Sequence, residues 1–587
     1  MKVEKTWIQL MKKADFKANG EKYGIDQVTA RIIRNKDIVE DKDIRMYLYG
    51  SKQDLYNPSS MKDIDLAAGI LKQKIEQQKK IRIIGDYDSD GINATYILLK
   101  ALQMLGGDVS WDIPHRIKDG YGVNVRMVEA AASDGADTLI TCDNGIAAKD
   151  AIDKAKELGM TVVITDHHEP PVDDQGNQMI YEADAVVDPK QRACEYPYKE
   201  LCGAAVAFKL MCRLYELCGK SAEKLDFLLE HVAIATITDV VPLTGENRIL
   251  VKEGLKRLSH TTNLGLQALM EELKINPAQL RSDYIGFQIG PCLNATGRLE
   301  DAARAVELLL ADNALQAEKI AKEIVELNAK RKSMSREGEA DAKVYVETHY
   351  DDSAKVLVIY LPQCHESIAG IIAGHIKEAY NRPTFVLTKG KDCIKGSGRS
   401  IEEYNMFDGI NGCKDLLLKF GGHHLAAGIS LEEKNIELFA RTINDKAALT
   451  QQDLLKKYYI DVPMPFPYVT TQLIREMSVL EPYGKDNEKP LFAQKDAQII
   501  RAQLLGENQN FLKLQVQVPG GSGQYEMIAF GYMAEQFAEG VDLKYGAGTY
   551  ENMLEGKTKP VMTFAYQPTI NTFRDMEHIQ FEIVDFM

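Results

Sequence analysis

No run of eighteen or more apolar residues occurs in the 587-residue chain, so no membrane-spanning helix is expected. The opening stretch MKVEKTWIQLMKKADFK lacks the apolar core of a secretory leader. Cysteine is sparse and unpatterned: nine residues, an odd number, with no CxxC pair. That excludes a disulfide framework and a structural zinc site of ordinary spacing, and it fits reduced thiols in a cytoplasmic setting. Positive charge is in deficit, with 71 Lys and Arg against 86 Asp and Glu, a net −15. The deficit argues against a broadly basic nucleic-acid surface but leaves room for a locally basic channel, and clustered metal-binding carboxylates would inflate it. What is present is ordinary for a globular protein, 45% hydrophobic and 27% charged. The length is too great for one core, so three or four domains are expected.

The most informative stretch is Ile81–Asn93, IRIIGDYDSDGIN. A β-branched run bounded by Gly85 reads as a buried strand, and Asp86, Asp88 and Asp90 follow at every second position. Alternating carboxylates crowd negative charge, which a divalent cation would neutralise. Three chemistries fit these residues. D-x-D-x-D-G opens an EF-hand loop, but the twelfth place is Ile97, where a bidentate Glu is needed, and a strand precedes it. A strand ending in acidic residues also suits a phosphatase with a nucleophilic Asp. A binuclear metal site is the third, and a solvated acidic turn is the plain alternative.

The chain that follows alternates regularly. A helix is expected over 94–105, then a strand DTLIT (137–141) ending in Cys142-Asp143-Asn144-Gly145. A helix over 147–158 leads to a third strand, TVVIT (161–165), ending in Asp166-His167-His168. Strands separated by helices imply βαβ units and a parallel sheet, whose ligands gather outside the carboxyl ends of the strands. Asp143-Asn144-Gly145 alone would more often be a turn. Three strands repeating the pattern point instead to one shared metal site. Carboxylates with imidazole suit Mn²⁺ or Mg²⁺, the histidine leaning toward Mn²⁺. Two such ions, about 3.5–4 Å apart, could activate a water and steady the leaving oxygen in an in-line attack on phosphorus. Asp143, isolated on the middle strand, is the expected bridging ligand.

Asp86–Gly91, Asp143-Asn144-Gly145 and Asp166-His167-His168 resemble successive motifs of the DHH phosphoesterases. LCGAAVAFKL (201–210) and HVAIATITDVVPLTGENRILVKEGL (231–255) strengthen the resemblance and place Asp239 as the fourth acidic motif. The whole order is similar to the RecJ branch of single-strand-specific 5′ exonucleases. The resemblance implies that Asp88, Asp90, His167 and Asp239 complete two metal sites around Asp143, with Asp86 a ligand or its support. It implies that His168 contacts the scissile phosphate or orients a ligand.

PHRIKDGYG (114–122) resembles the segment lining the strand's entrance and nominates His115, Arg116 and Tyr121. GPCLNATGRLEDA (290–302) resembles the family's NAxGR motif, with Asn294 and Arg298 as phosphate contacts. CHESIAGIIAGHIKEAYNRPTFVLT (364–388), GSGRS (396–400) and GGHHLAAG (421–428) resemble the DHH-associated domain. From these, His365, Ser397, Arg399, Gly421, Gly422 and His423 are expected at the substrate; Cys364 stands where the family usually has an aromatic. Segments 480–493 and 570–586 resemble the ends of an OB-type domain, a fold suited to single strands through a basic groove and aromatic stacking. Phe511, Tyr525, Tyr532 and Phe573 are its stacking candidates.

The expected architecture is α/β: an N-terminal helical segment (1–60), a parallel-sheet DHH catalytic domain (61–307), one long connecting helix (308–345, read over 308–340), an α/β DHH-associated domain (346–455) and a C-terminal OB-like β-barrel (456–587). The expected activity is 5′→3′ hydrolysis of single-stranded DNA to 5′-mononucleotides in repair and recombination, with single-stranded DNA, a single-strand-binding protein and a DNA helicase as partners and no membrane. Two other readings are a DHH phosphodiesterase of short oligoribonucleotides or cyclic dinucleotides, and a non-catalytic relative whose ligands have decayed. Every expected ligand is present here, which disfavours the last.

Overall fold

The computed structural model describes residues 3–506, 509–521, 523–573 and 576–587, and the chain divides into two compact units. The first comprises Met1–Lys5 and Ser51–Lys456. Its leading sheet contains β1 (Lys80–Ile84), β2 (Asp108–Asp112), β3 (Thr138–Cys142), β4 (Thr161–Thr165) and β5 (Ala185–Val187), all parallel, in the order β2-β1-β3-β4-β5. Ile81, Ile83, Ile140 and Val163 pack on one face and Leu139, Val162, Ile164 and Val186 on the other, so both faces are apolar and covered by helices. The strand order reverses between β1 and β3, which opens a crevice at their carboxyl ends.

Helix α1 (Ser89–Met104) leaves β1 through the three aspartates. It starts five residues before the expected 94, because the Asp88 carboxylate accepts from the backbone N–H groups of Asp90 and Gly91 and caps it there. Helices α2 (Gly203–Leu217) and α3 (Leu229–Thr238) pack against α1 in the same core, and α4 (Gly290–Leu299) follows.

The expected single helix over 308–340 is two. A helix at Ala303–Leu310 ends, and Asn313 caps a new one, α5 (Ala314–His349), by accepting from the Gln316 N–H at 2.9 Å. At 36 residues α5 is ~54 Å long. Ile320 and Ile324 belong to the first core, while Ala342 and Val346 belong to the next, so one helix serves two cores.

That second core is built on β6 (Leu357–Tyr360), α6 (Ala369–Tyr380), β7 (Thr384–Lys389), β8 (Ile394–Arg399), α7 (Met406–Asn411), β9 (Leu417–Gly422), β10 (Ala426–Leu431) and α8 (Ile436–Lys446). The sheet order is β9-β10-β8-β7-β6, with only β6 and β7 parallel. Helix α6 covers Val386 on one face; Phe385, Leu387 and Ile429 face the core that includes Ile410 and Phe439 on the other.

The second unit comprises Thr6–Gly50 and Lys457–Met587. Five strands, Phe492–Leu505, Phe511–Gln517, Gln524–Phe530, Met576–Phe586 and Val561–Phe573, close into a barrel in that order. The helices Phe16–Tyr23, Gln27–Asn35 and Asp41–Tyr49 belong to this unit: Ile32, Ile33 and Leu48 lie in one apolar cluster with Phe466, Leu480 and Phe564. The helices between Thr6 and Gly50 therefore share the barrel's core. Among the described residues no helix is long and apolar enough to cross a membrane.

Candidate metal centre and anion-binding groups

Asp86, Asp88 and Asp90 leave β1, Asp143 leaves β3, His167 and His168 leave β4, and Asp239 ends α3. Ligand atoms of three sets lie within 4.8 Å of one another: Asp86, Asp88 and Asp143; Asp90, His167 and Asp239; and Asp143, His167 and His168. Asp143 joins the first set to the histidines. His167 Nε2 stands 3.0 Å from Asp143 Oδ1, 3.6 Å from Asp90 Oδ2 and 3.7 Å from Asp239 Oδ2.

Each carboxylate is positioned by backbone. Both oxygens of Asp90 accept at 2.7 Å from the Gly203 and Ala204 N–H groups, at the start of α2. Asp143 has φ 61°, a left-handed value that aims its side chain into the crevice. Close packing allows this: a Cβ on Gly203 would lie 2.7 Å from Asp143 Cβ, and one on Gly91 would lie 2.4 Å from the Asp86 carbonyl oxygen. Asn144 holds the turn by donating to the Ile84 and Cys142 carbonyls and accepting from Val123 N–H.

The electrostatics are those of a site suited to a cation. Burial, then the charge of Asp88, raises Asp86 well above the usual carboxylate range and Asp90 to about 7. Burial, then the charge of Asp90, raises Asp143 and Asp239 strongly. Asp86 Oδ1 is buried with no hydrogen-bond partner. Burial, then His168, lowers His167 to about 3, so its imidazole is neutral and able to ligate. Carboxylate oxygens with one or two imidazole nitrogens fit a hard divalent ion such as Mn²⁺ or Mg²⁺.

His168 is set apart. Its Nδ1 lies 2.7 Å from Asp166 Oδ1, and its ring is partly open to solvent. Burial lowers its pKa, but Asp166 overcomes this and holds it at about 9, so His168 is a cation at neutral pH. Burial likewise raises Asp166, and His168 outweighs it to leave the carboxyl at about 2. Asp166 also accepts from the His167 and Ile146 N–H groups, which fixes the turn carrying both histidines. Sequence reasoning left Asp166 out of the site, although its place before the two histidines is the signal. Gly203, also missed, has no local signal.

Tyr121 has a half-exposed ring, while its hydroxyl donates to the Asp143 carbonyl at 3.0 Å and lies 3.1 Å from His168 Nε2. Arg116 lies 4.6 Å over the Tyr87 ring. Arg298 donates to the Ser367 carbonyl at 2.9 Å; burial, then the charges of Arg116, Arg331 and Arg399, lowers it to about 10. Arg399 donates to Gly398 carbonyl and is lowered by burial, then by Arg116. These four arginines form a cationic group beside the acidic one. Arg331 comes from α5, which sequence reasoning treated as a bare spacer; Asn328 Oδ1 anchors its guanidinium at 2.9 Å.

The other expected contacts lie in varied surroundings. Asn294 Oδ1 accepts from Ser89 N–H at 2.8 Å, steadying the start of α1. His115 Nδ1 accepts from the Ile117 N–H at 3.2 Å, and His365 Nδ1 lies 2.7 Å from Ser367 Oγ. Ser397 is half-buried on β8, and Gly421, Gly422 and His423 are exposed at the end of β9. In the barrel Tyr525 packs on Phe466 and Phe581, while Phe530 and Tyr532 are exposed at 44% and 49%. Phe511 meets Phe530 edge to face at 5.4 Å, and the side chain of Phe573 lies outside the described residues.

Comparison with known proteins agrees across the chain. The DHH family, N-terminal domain, matches residues 80–236, the DHHA1 domain residues 353–449 and the RecJ OB domain residues 460–585. The single-stranded-DNA-specific exonuclease RecJ of Salmonella typhimurium is 34% identical over 492 residues, covering 80% of this chain and 83% of its own. That of Bacillus subtilis is 36% identical over 514 residues, 87% of this chain, which spans 64% of the length of that relative. The crystal structure of RecJ in complex with Mn²⁺ from Thermus thermophilus superposes with TM-score 0.81 at 28% identity, covering 100% of this chain and 80% of that one.

Proposed function

Because the chain belongs to the RecJ family of single-stranded-DNA-specific exonucleases, we propose that it degrades single-stranded DNA 5′→3′ to 5′-mononucleotides with two divalent ions, in DNA repair and recombination. The observation that carries the reading is Asp143, whose carboxylate belongs to two of the three ligand sets. Asp86, Asp88 and Asp143 would hold one ion, and Asp90, His167 and Asp239 the other, with Asp143 Oδ1 3.0 Å from His167 Nε2 between them. A bound Mn²⁺ or Mg²⁺ pair supplies Lewis acidity toward the phosphoryl oxygens and acidifies water.

The protein's own groups do the rest. His168, kept cationic by Asp166, faces the crevice and can neutralise a phosphoryl oxygen as negative charge builds on it. Tyr121 fixes the His168 ring by its hydroxyl contact. Arg116, Arg298 and Arg399, with Ser397, would grip the strand's phosphates and its 5′ end. Their partial burial matters: a guanidinium already stripped of water loses little more on meeting a phosphate.

The proposal includes protein partners and place. An exonuclease confined to single strands needs duplex opened and the freed strand kept extended, tasks of a DNA helicase and a single-strand-binding protein. The free cysteines suit the cytoplasm. Incubation with Mn²⁺ and single-stranded DNA labelled at its 3′ end is the direct test. Release of 5′-mononucleotides with late loss of the label is expected; early loss of the label, or equal activity on blunt duplex, sinks the reading.

A further inference from the structure

Two loops place the carboxylates in the ligand set of Asp90, His167 and Asp239. One ends at Gly203 and Ala204, whose N–H groups hold both oxygens of Asp90 at 2.7 Å. The other opens at Asp239 itself and runs to Thr244, where the helix Gly245–Leu258 begins. A single side chain joins them. Asn247, fully buried in the first turn of that helix, donates from Nδ2 to the Glu200 carbonyl in the first loop and, at 3.0 Å, to the Pro242 carbonyl in the second. Two carbonyls call for two hydrogens on one nitrogen, which an amide supplies and a hydroxyl does not.

The second loop needs holding. Val240 has φ 58°, a left-handed value that a β-branched residue adopts only under constraint. Its side chain is 60% exposed, so packing of that side chain does not impose the turn. The constraint lies two residues on, where the Pro242 carbonyl accepts from Asn247 and from the Tyr198 hydroxyl at 3.2 Å. Tyr198 stands in the segment that leads to α2, so this contact too runs between the two loops.

The residue before Asn247 fastens the same helix to α2 itself. Glu246, fully buried, accepts from Lys209 Nζ of α2 at 2.5 Å, from the Tyr196 hydroxyl at 2.6 Å and from the Tyr56 N–H at 2.8 Å. A buried ion pair adds little stability over apolar residues of like volume, so its presence here points to the geometry it fixes.

We propose that Asn247 is a positioning residue for the ion expected at Asp90, His167 and Asp239. By tying the loop after Asp239 to the loop that grips Asp90, it sets the spacing of the two carboxylates. Tyr198 backs the tie, and the Glu246–Lys209 pair holds the helix that carries it. The proposal rests on the two-ion function proposed above and adds to it residues that act through backbone carbonyls.

The test uses the full chain, stripped of metal and titrated with Mn²⁺ while free Mn²⁺ is read by electron paramagnetic resonance. In Asn247→Ala one of the two dissociation constants is expected to rise roughly tenfold, the other staying within about twofold. Turnover of 3′-fluorescein-labelled 20-mer oligothymidylate should lose kcat at unchanged KM, and added Mn²⁺ should restore it. Leu258→Ala, fully buried and eleven residues along the same helix, controls for plain destabilisation. Its Tm should fall while both Mn²⁺ constants keep their wild-type values. Tyr198→Phe removes one hydroxyl and keeps the ring, and should weaken the same Mn²⁺ site to a lesser degree.

Wild-type Mn²⁺ constants in Asn247→Ala, or in Tyr198→Phe where the first variant does not fold, would overturn the tie. So would an equal loss of Mn²⁺ affinity in Leu258→Ala. A wild-type chain that bound two Mn²⁺ and degraded no single strand would fail the function and leave the tie standing.

Discussion

At Asp143 backbone and chemistry meet. The residue sits at φ 61°, which alanine tolerates poorly and asparagine well, so Asp143→Asn is the informative variant. It keeps size and conformation and removes the charge common to two of the three ligand sets. We expect its kcat to fall by more than ~100-fold, beyond what loss of an orienting partner costs, with Tm preserved; near-wild-type turnover measured with Mn²⁺ would refute the shared role. Asp86, Asp88 and Asp90 differ in the same way, by place. Asp88 spends one oxygen on capping α1, Asp90 spends both on the start of α2, and Asp86 keeps a buried oxygen unpartnered. The alternation in sequence made all three look equivalent; capping and helix contacts separate them.

Among the elements, α1 and α3 carry ligands from different directions, and a buried histidine ties them. His231 on α3 is fully buried, with Nδ1 2.8 Å from Asn93 Oδ1 on α1 and its ring 4.2 Å from that of Tyr96. Asn93 in turn donates to the Ser89 carbonyl, at the start of α1. Burial lowers His231 to about 3, so the folded protein holds it neutral while the unfolded chain protonates it below about 6.5. Between those values the unfolded state binds the extra proton, so this residue's contribution to stability is complete above about 6.5 and lost as pH falls toward 3. The slope it adds is at most about 1.4 kcal/mol per pH unit. Denaturant unfolding between pH 4 and 6 should show a shallower loss of stability in His231→Leu than in the wild type; parallel pH profiles would refute it.

On the scale of the whole molecule, Thr6–Gly50 form one unit with Lys457–Met587, far away in sequence. Leu48 is 2% exposed within the cluster that includes Phe466 and Leu480. Leu48→Ala should destabilise the unit containing the barrel by about 2–5 kcal/mol. Calorimetry resolving the transition of that unit checks it, and an unshifted transition would show that the helices contribute no core. Because the candidate metal centre lies in the other unit, nucleotide release from a dinucleotide is the natural control for this variant.

The sequence alone determined the parallel sheet and grouped the candidate ligands at its strand ends, because strand periodicity is local and Asp86, Asp88, Asp90, Asp143, His167 and His168 lie within a few residues of a strand end. Asp86, Asp143 and His167 could be placed in one crevice from the rule that ligands gather at strand ends, and Asp239 only from a resemblance. Tertiary structure decided what depends on residues far apart in sequence. Asp166 was visible yet its grip on His168 was not; Gly203 and Arg331 had no local mark, since each acts by standing beside a residue sixty or thirty positions away. The break before α5 depended on one capping side chain, Asn313. The allegiance of the N-terminal helices to the barrel, like the tie from Asn247 to two loops, follows from long-range packing, which periodicity within a segment does not encode.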